Sequence, residues 1–406
     1  MIRLKRFSFL WLTLALLLCA GSDPSQGGPA GARLVAVGDV HGGLDEMVSI
    51  LQSAGLIDAE HHWIGGNSVL VQTGDLVDRG PKSRAVMDLV MNLEKEASQQ
   101  KGRVVALLGN HELMILYGDL RYVVSQDYAA FVDEKSEKRR QDAYRAHMEV
   151  LRRRAALLRQ PTPAFTPEME NQWMAERPPG FVEHRAALAP DGKYGRWIRS
   201  RAAIFQEGGS IFLHGGISPA VAAVKVSQIN SRVKNEIQTF DSTVRQLVEW
   251  RLALPFFTIE ELLAVVQPAI DAVKSGSMAL SSESDMRQRL QMLETFAGFQ
   301  GWLAINPDGP LWFRGFSQWS DSEGAEQIAA LVKGYGDVRF IVGHTVQTGG
   351  RMRSRFDGRV FLIDTGMLTS FFPGGRPSAL EIADGKFTAI YTDERTLLFD
   401  SNTAAR

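Results

Sequence analysis

Six short apolar runs, each ending in residues that can hold an ion or move a proton, constrain this chain more than any other feature. Leu34–Val37 leads into Gly38-Asp39-Val40-His41-Gly42, and Val69–Val71 leads into Thr73-Gly74-Asp75-Leu76-Val77-Asp78-Arg79-Gly80-Pro81. Val104–Leu108 leads into Gly109-Asn110-His111-Glu112, and Ile211–Leu213 into His214-Gly215-Gly216. Phe340–Val342 leads into Gly343-His344-Thr345, and Val360–Ile363 into Asp364-Thr365-Gly366. Continuous runs of this length read as buried strands. In layered α/β folds, ligands collect beyond the carboxyl ends of strands.

Helical patterns alternate with the runs. Leu44, Met47, Val48 and Leu51 share a face that ends at Gly55, a fitting C-cap. Pro81 suits the first position of a helix whose buried face is Val86, Leu89, Val90 and Leu93. Two helical stretches interrupt the rhythm, at about 119–195 and 218–300. In the first, Tyr144, Met148, Leu151, Ala155 and Leu158 form a stripe that Pro161, Pro163 and Pro167 end; the charge run from Asp133 to Arg140 reads as a solvated face. In the second, Ile229, Val233, Ile237, Phe240, Val244 and Leu247 form a stripe, Thr258 and Glu261 fit a capping box, and Pro268 is placed to kink or end its helix. Both stretches are expected to cap the site. Leu380–Phe387 reads as a hairpin turning at Asp384-Gly385, which adds antiparallel strands. The fold class is therefore α/β: a mixed β-sandwich flanked by helices, with helical cap insertions.

The chain's 406 residues suffice for one large domain or two modest ones, and a net charge of −1 offers no basic field for nucleic acid. Residues 1–22 read as a signal peptide: Arg3, Lys5 and Arg6 precede the apolar stretch Phe7–Cys19, with small residues at Ala20-Gly21-Ser22. An uncleaved anchor is the alternative; a lipid-bearing Cys19 is opposed by the bulk of Leu18. Residues 23–32 read as a linker, 33–392 as the main domain and 393–406 as a tail. The expected location is periplasmic or secreted, with membrane contact only through the N-terminal segment. Cys19 is the sole cysteine, so a cleaved chain has no disulfide framework.

The strand ends supply Asp39, His41, Asp75, Asn110, His214 and His344, a set of oxygen and nitrogen donors suited to manganese, iron or zinc. Six donors are too many for one catalytic ion that must leave room for water. They are natural for two divalent ions sharing a bridging carboxylate, for which Asp75 is the candidate. Two such ions can activate a water for attack at phosphorus.

The motifs around Asp39, Asp75 and Asn110 resemble, in order and spacing, the three signatures of phosphoprotein phosphatases in the calcineurin-like metallophosphoesterase superfamily. The sub-family most similar is the Shewanella-like protein phosphatases. Tyr194-Gly195-Arg196-Trp197, Gly309-Pro310-Leu311-Trp312-Phe313-Arg314-Gly315 and Gly343-His344-Thr345 strengthen the likeness, which spans roughly residues 33–391. It implies a metallophosphoesterase-type sandwich. It also implies that Asp39, His41 and Asp75 hold one metal, and that Asp75, Asn110, His214 and His344 hold the other. His111 would then be the general acid, oriented by Asp78, and Arg79 would clamp phosphate with Asn110 beside it. Arg314 is the candidate second phosphate arginine, with Arg196 as rival and cation–π packing on Trp312 and Phe313 as the alternative role for Arg314. Glu112 is expected to pair with backbone or arginine, and His111 has metal ligation as its other reading. Asp364 either caps a turn or joins the site. The eukaryotic Ser-Ala-Pro-Asn-Tyr signature is absent, which leaves substrate preference open.

The resulting expectation is a two-metal phosphomonoesterase acting on phosphorylated protein or peptide side chains, tyrosine as well as serine or threonine. A diadenosine-tetraphosphate-type pyrophosphatase and a non-catalytic phosphate-binding protein are the alternatives.

Overall fold

The computed structural model describes residues 33–157, 161, 164–277 and 282–404. The expected signal segment and linker, and the stripe and loop residues Leu158 and Pro163, lie outside the described residues.

The strands are β1 (Leu34–Val37), β2 (Val69–Gln72), β3 (Arg103–Ala106), β4 (Ile204–Glu207), β5 (Ser210–Leu213), β6 (Arg339–Val342), β7 (Arg353–Arg355), β8 (Val360–Leu362), β9 (Ser378–Ala383), β10 (Lys386–Tyr391) and β11 (Arg395–Asp400). They form one six-stranded sheet in the order β11-β10-β9-β1-β2-β3 and one five-stranded sheet in the order β4-β5-β6-β8-β7. Within these, β1, β2 and β3 are mutually parallel, as are β5, β6 and β8, while β4, β7, β9, β10 and β11 pair antiparallel to their neighbours.

Side-chain alternation explains the layering. Leu34 and Ala36 join Val71, Phe212, Ile341, Phe361 and Phe387 in a core between the sheets. Phe361 and Phe387 stack there from opposite sheets, with ring centroids 4.4 Å apart. Val35 and Val37 point the other way, into a core shared with the helices. A strand buried on both faces needs apolar residues at every position, which is why the runs are continuous. The fold is the mixed sandwich flanked by helices that the sequence pattern implies.

Several local readings need adjustment. Pro81 lies in the turn before the helix Ser83–Gln99, whose N-cap is Lys82, so proline initiates the turn rather than the helix. Pro268 neither ends nor divides the helix Ile259–Lys274. The Thr258 and Glu261 capping box is present at that helix's start, with Thr258 N–H donating to Glu261 Oε2 at 2.8 Å. The segment expected to be a tail from 393 forms β11 on the sheet edge. At the hairpin, Asp384 and Gly385 both take positive φ, 49° and 75°, the geometry of a two-residue turn between twisted strands.

Candidate metal centre

The parallel strands of both sheets end at one edge, and there the predicted donors meet. Asp39, His41, Asp75, Asn110, His111, His214 and His344 are all buried. Two trios, His41-Asp75-His111 and Asp75-His214-His344, each bring one donor atom per residue within 4.8 Å of one another, and Asp75 belongs to both.

The close approach depends on two motif glycines. A Cβ on Gly109 would lie 2.1 Å from Asp75 Oδ1, and one on Gly343 would lie 2.3 Å from Asp39 Oδ1. Backbone donors then fix the carboxylates: His111 N–H donates to Asp75 Oδ1 and His344 N–H to Asp39 Oδ1, both at 2.9 Å. Asp75 itself sits at φ 60°, and His41, Asp78, Arg79 and His344 also adopt positive φ. Non-glycine residues rarely hold this conformation unless the surroundings impose it. Glu112 supplies part of that imposition, accepting N–H bonds from Asp75 (2.7 Å), Leu76 (2.8 Å) and Gly109 (2.8 Å). This matches the expectation that Glu112 serves the backbone.

Hydrogen bonds to backbone carbonyls set the imidazole tautomers. A carbonyl only accepts, so His41 Nδ1–H donates to Val77 O (3.0 Å), His214 Nδ1–H to Thr73 O (3.0 Å) and His344 Nε2–H to Trp312 O (3.1 Å). The other ring nitrogens are left as donors of lone pairs, the arrangement that orients metal-ligating histidines. His214 Nε2 faces Asn110 Oδ1 at 2.9 Å and Asp75 Oδ2 at 3.2 Å. Acceptor atoms converging in this way require a positive charge among them. Burial opposes a charge on His214, but Asp75 and Asp39 outweigh burial and push it up to about 9. Burial brings His41 down to about 3 and His344 to about 2, keeping both neutral. Arg79 Nη1 lies 2.6 Å from His41 Nε2, so a guanidinium covers that lone pair. The donor set thus fits divalent cations.

Beside the donors, His111 Nδ1–H donates to Asp78 Oδ2 at 2.8 Å, which leaves Nε2 facing Asp75 Oδ2 at 3.9 Å. Arg79 is ringed by Tyr122, Phe371 and Phe372, with Cζ 5.3–5.4 Å from each ring centroid. Arg314 is half-buried and donates to His344 O (2.9 Å) and Thr345 Oγ1 (3.0 Å); its electrostatic neighbours include Asp39, Asp75 and Arg79. It therefore lies beside the donor cluster. Arg196 does not: its guanidinium turns back to the carbonyl of Asp191 on the exposed side of the helix Lys193–Arg199.

The sequence reading missed Tyr122, Phe371 and Phe372. They come from a loop entering the first insertion and a loop after β8, and no local pattern ties them to Arg79. It also missed the carbonyls of Thr73, Val77 and Trp312, although all three residues stand in the quoted motifs. Asp364 is buried at the end of β8, next to the donors in space.

A fold of this kind, with buried aspartates and histidines gathered at strand ends, presents a site suited to metal ions. The calcineurin-like phosphoesterase family model matches residues 32–347. The chain belongs to that family and is a hydrolase of phosphoesters. It is 28% identical over 357 residues to an uncharacterized protein of Schizosaccharomyces pombe, covering 87% of this chain and 78% of that one. It is 30% identical over 214 residues to Shewanella-like protein phosphatase 2 of Arabidopsis thaliana, covering 51% of this chain and 52% of that one. In structure it is similar to a cold-active protein-tyrosine phosphatase of a psychrophilic Shewanella species. The TM-score is 0.56 at 20% identity, covering 93% of this chain and 84% of that one.

Proposed function

We propose that the chain removes phosphate from phosphorylated protein or peptide side chains, using two divalent cations, with manganese as the working metal. The observation that carries this reading is Asp75 shared between His41 and His111 on one side and His214 and His344 on the other, with Asp39 Oδ2 3.8 Å from His41 Nε2, Asn110 Oδ1 2.9 Å from His214 Nε2, and Asp78 holding the His111 ring. Asp39, His41 and Asp75 would hold one ion, and Asp75, Asn110, His214 and His344 the other. When bound, such ions polarise phosphoryl oxygens and supply an activated water for in-line attack at phosphorus.

The remaining work falls to the chain's own groups. Arg79 and Arg314 present planar guanidinium forks from opposite segments and orient the phosphoryl oxygens. His111 would deliver a proton from Nε2 to the departing ester oxygen, while Asp78 fixes the ring through Nδ1. Burial of the donors excludes bulk water and strengthens each of these charges. The names of two similar proteins, a Shewanella-like protein phosphatase and a protein-tyrosine phosphatase, support a phosphorylated side chain as substrate. Export is the companion proposal, supported by Arg3, Lys5 and Arg6 before the apolar stretch Phe7–Cys19.

The test is a panel of phosphotyrosine, phosphoserine and phosphothreonine peptides, p-nitrophenyl phosphate and a dinucleoside tetraphosphate. Each is assayed with chelator-stripped protein reloaded with Mn, Fe, Zn or Ni. Metal-dependent release of phosphate from the peptides is expected. Turnover confined to the dinucleotide would transfer the chain to the pyrophosphatase class, and no turnover with any metal would remove the catalytic reading.

A further inference from the structure

We propose that Asp364 is a further anionic donor of the metal site, its Oδ2 serving the cation on the Asp39 and His41 side; this rests on the two-cation reading above. Asp364 stands just beyond β8, at the same sheet edge as the other donors. The β1 and β8 ends abut there through backbone: a Cβ on Gly38 would meet Ile363 O at 2.9 Å and Asp364 Cα at 3.2 Å. The side chain is 1% exposed.

Its two oxygens differ. Oδ1 accepts from Gly366 N–H at 3.0 Å, and the main-chain carbonyl accepts from Gln347 N–H at 2.8 Å, so the residue is fixed in orientation. Oδ2 is buried and has no hydrogen-bond partner among the described residues. A turn cap accounts for Oδ1 and leaves Oδ2 unexplained. A buried carboxylate oxygen is normally paired or bound to a metal.

Asp364 and Asp39 stand at the abutting ends of β8 and β1 and repel one another, and a cation between two such buried carboxylates relieves that repulsion. The proposed ligand sets are also unequal, with three donors on the Asp39 side and four on the other. An additional carboxylate beside Asp39 would complete the poorer set.

The test is isothermal titration of Mn(II) into chelator-stripped full-length protein, comparing wild type, Asp364→Asn and Asp39→Asn. Asparagine keeps the volume and the Oδ1 bond to Gly366, so a purely turn-capping role predicts no change. The expected result is two Mn(II) sites in wild type and a 10- to 100-fold loss of affinity at one of them in Asp364→Asn. The metal-free circular dichroism and melting temperature should stay unchanged. Asp364→Ser, which also keeps an acceptor for the turn but has no carboxylate, should show the same loss and serves if the asparagine variant does not fold. Affinities within twofold of wild type in Asp364→Asn, alongside a clear loss in Asp39→Asn, would overturn the assignment and leave the two-cation reading intact. Wild-type affinity in Asp39→Asn as well would remove the two-cation reading and this inference with it.

Discussion

Gly109→Ala isolates how tightly the site depends on backbone contact. Gly109 has φ −102°, an ordinary conformation for alanine, so the substitution adds a methyl group without twisting the chain. The new Cβ would fall 2.1 Å from Asp75 Oδ1 and 2.4 Å from Asp75 N, whereas ordinary contact begins near 3.4 Å. Asp75 or the Gly109 backbone must therefore move by about 1.3 Å, the shortfall between 3.4 and 2.1 Å. Displacing a reacting group by ~1 Å costs roughly 100-fold in rate, equivalent to about 2.7 kcal/mol in the barrier. Overpacking costs about 1–3 kcal/mol of stability, and the lower chain entropy of alanine returns ~0.4–1 kcal/mol. The expected outcome is a kcat/KM loss near two orders of magnitude with a net destabilisation of no more than about 2.6 kcal/mol. Gly301, which has no atom within 4 Å of an added Cβ, is the control, and Gly301→Ala should behave as wild type. The assays are p-nitrophenyl phosphate turnover with manganese and urea unfolding. Gly109→Ala activity within threefold of wild type would refute the claim that the contact between these two loops sets the Asp75 carboxylate.

Further predictions separate the roles assigned to other residues. His111→Asn should lower kcat by about 100- to 10,000-fold while leaving metal content unchanged. Asp39→Asn should lower both, as measured by kinetics and elemental analysis. Arg314→Ala should raise KM for phosphopeptides by ~10-fold or more through loss of a charged fork, whereas Arg196→Ala should change neither KM nor kcat. Burial pushes Asp127 up to about 7 from an ordinary value of 3.8, so the folded state holds a proton that the unfolded state has released. Stability from this group should therefore fall as pH rises from about 4 to 7 and level off above 7, a cost of up to ~4 kcal/mol. Asp127→Asn, which can still accept from Ser83 N–H, should flatten that dependence in urea unfolding at successive pH values.

The strand ends were legible because two constraints coincide in them. A strand buried on both faces must be apolar throughout, and a site at its end must then switch abruptly to polar residues, so Val37 to Asp39 or Val342 to His344 marks the boundary without an alignment. Tautomers and carbonyl supports were not legible, since Trp312 O reaches His344 only through folding of distant segments. Arg196 shows the opposite failure. It stands in a motif-like string, but Tyr194, Trp197 and Ile198 form the buried face of its helix, and helical period puts Arg196 outside. For Arg314 the sequence offered phosphate binding, with packing on Trp312 and Phe313 as the alternative, and the structure ties the guanidinium to the His344 loop. β11 escaped because an edge strand is only half buried and Arg395–Asp400 lacks a clean alternation.

Anomalous diffraction from manganese-loaded crystals at the Mn edge tests the central claim most directly. Two peaks roughly 3.5–4 Å apart are predicted, one beside Asp39 and His41, the other beside Asn110, His214 and His344, with the Asp75 carboxylate between them. A single peak, no peak, or density away from Asp75 would contradict the account.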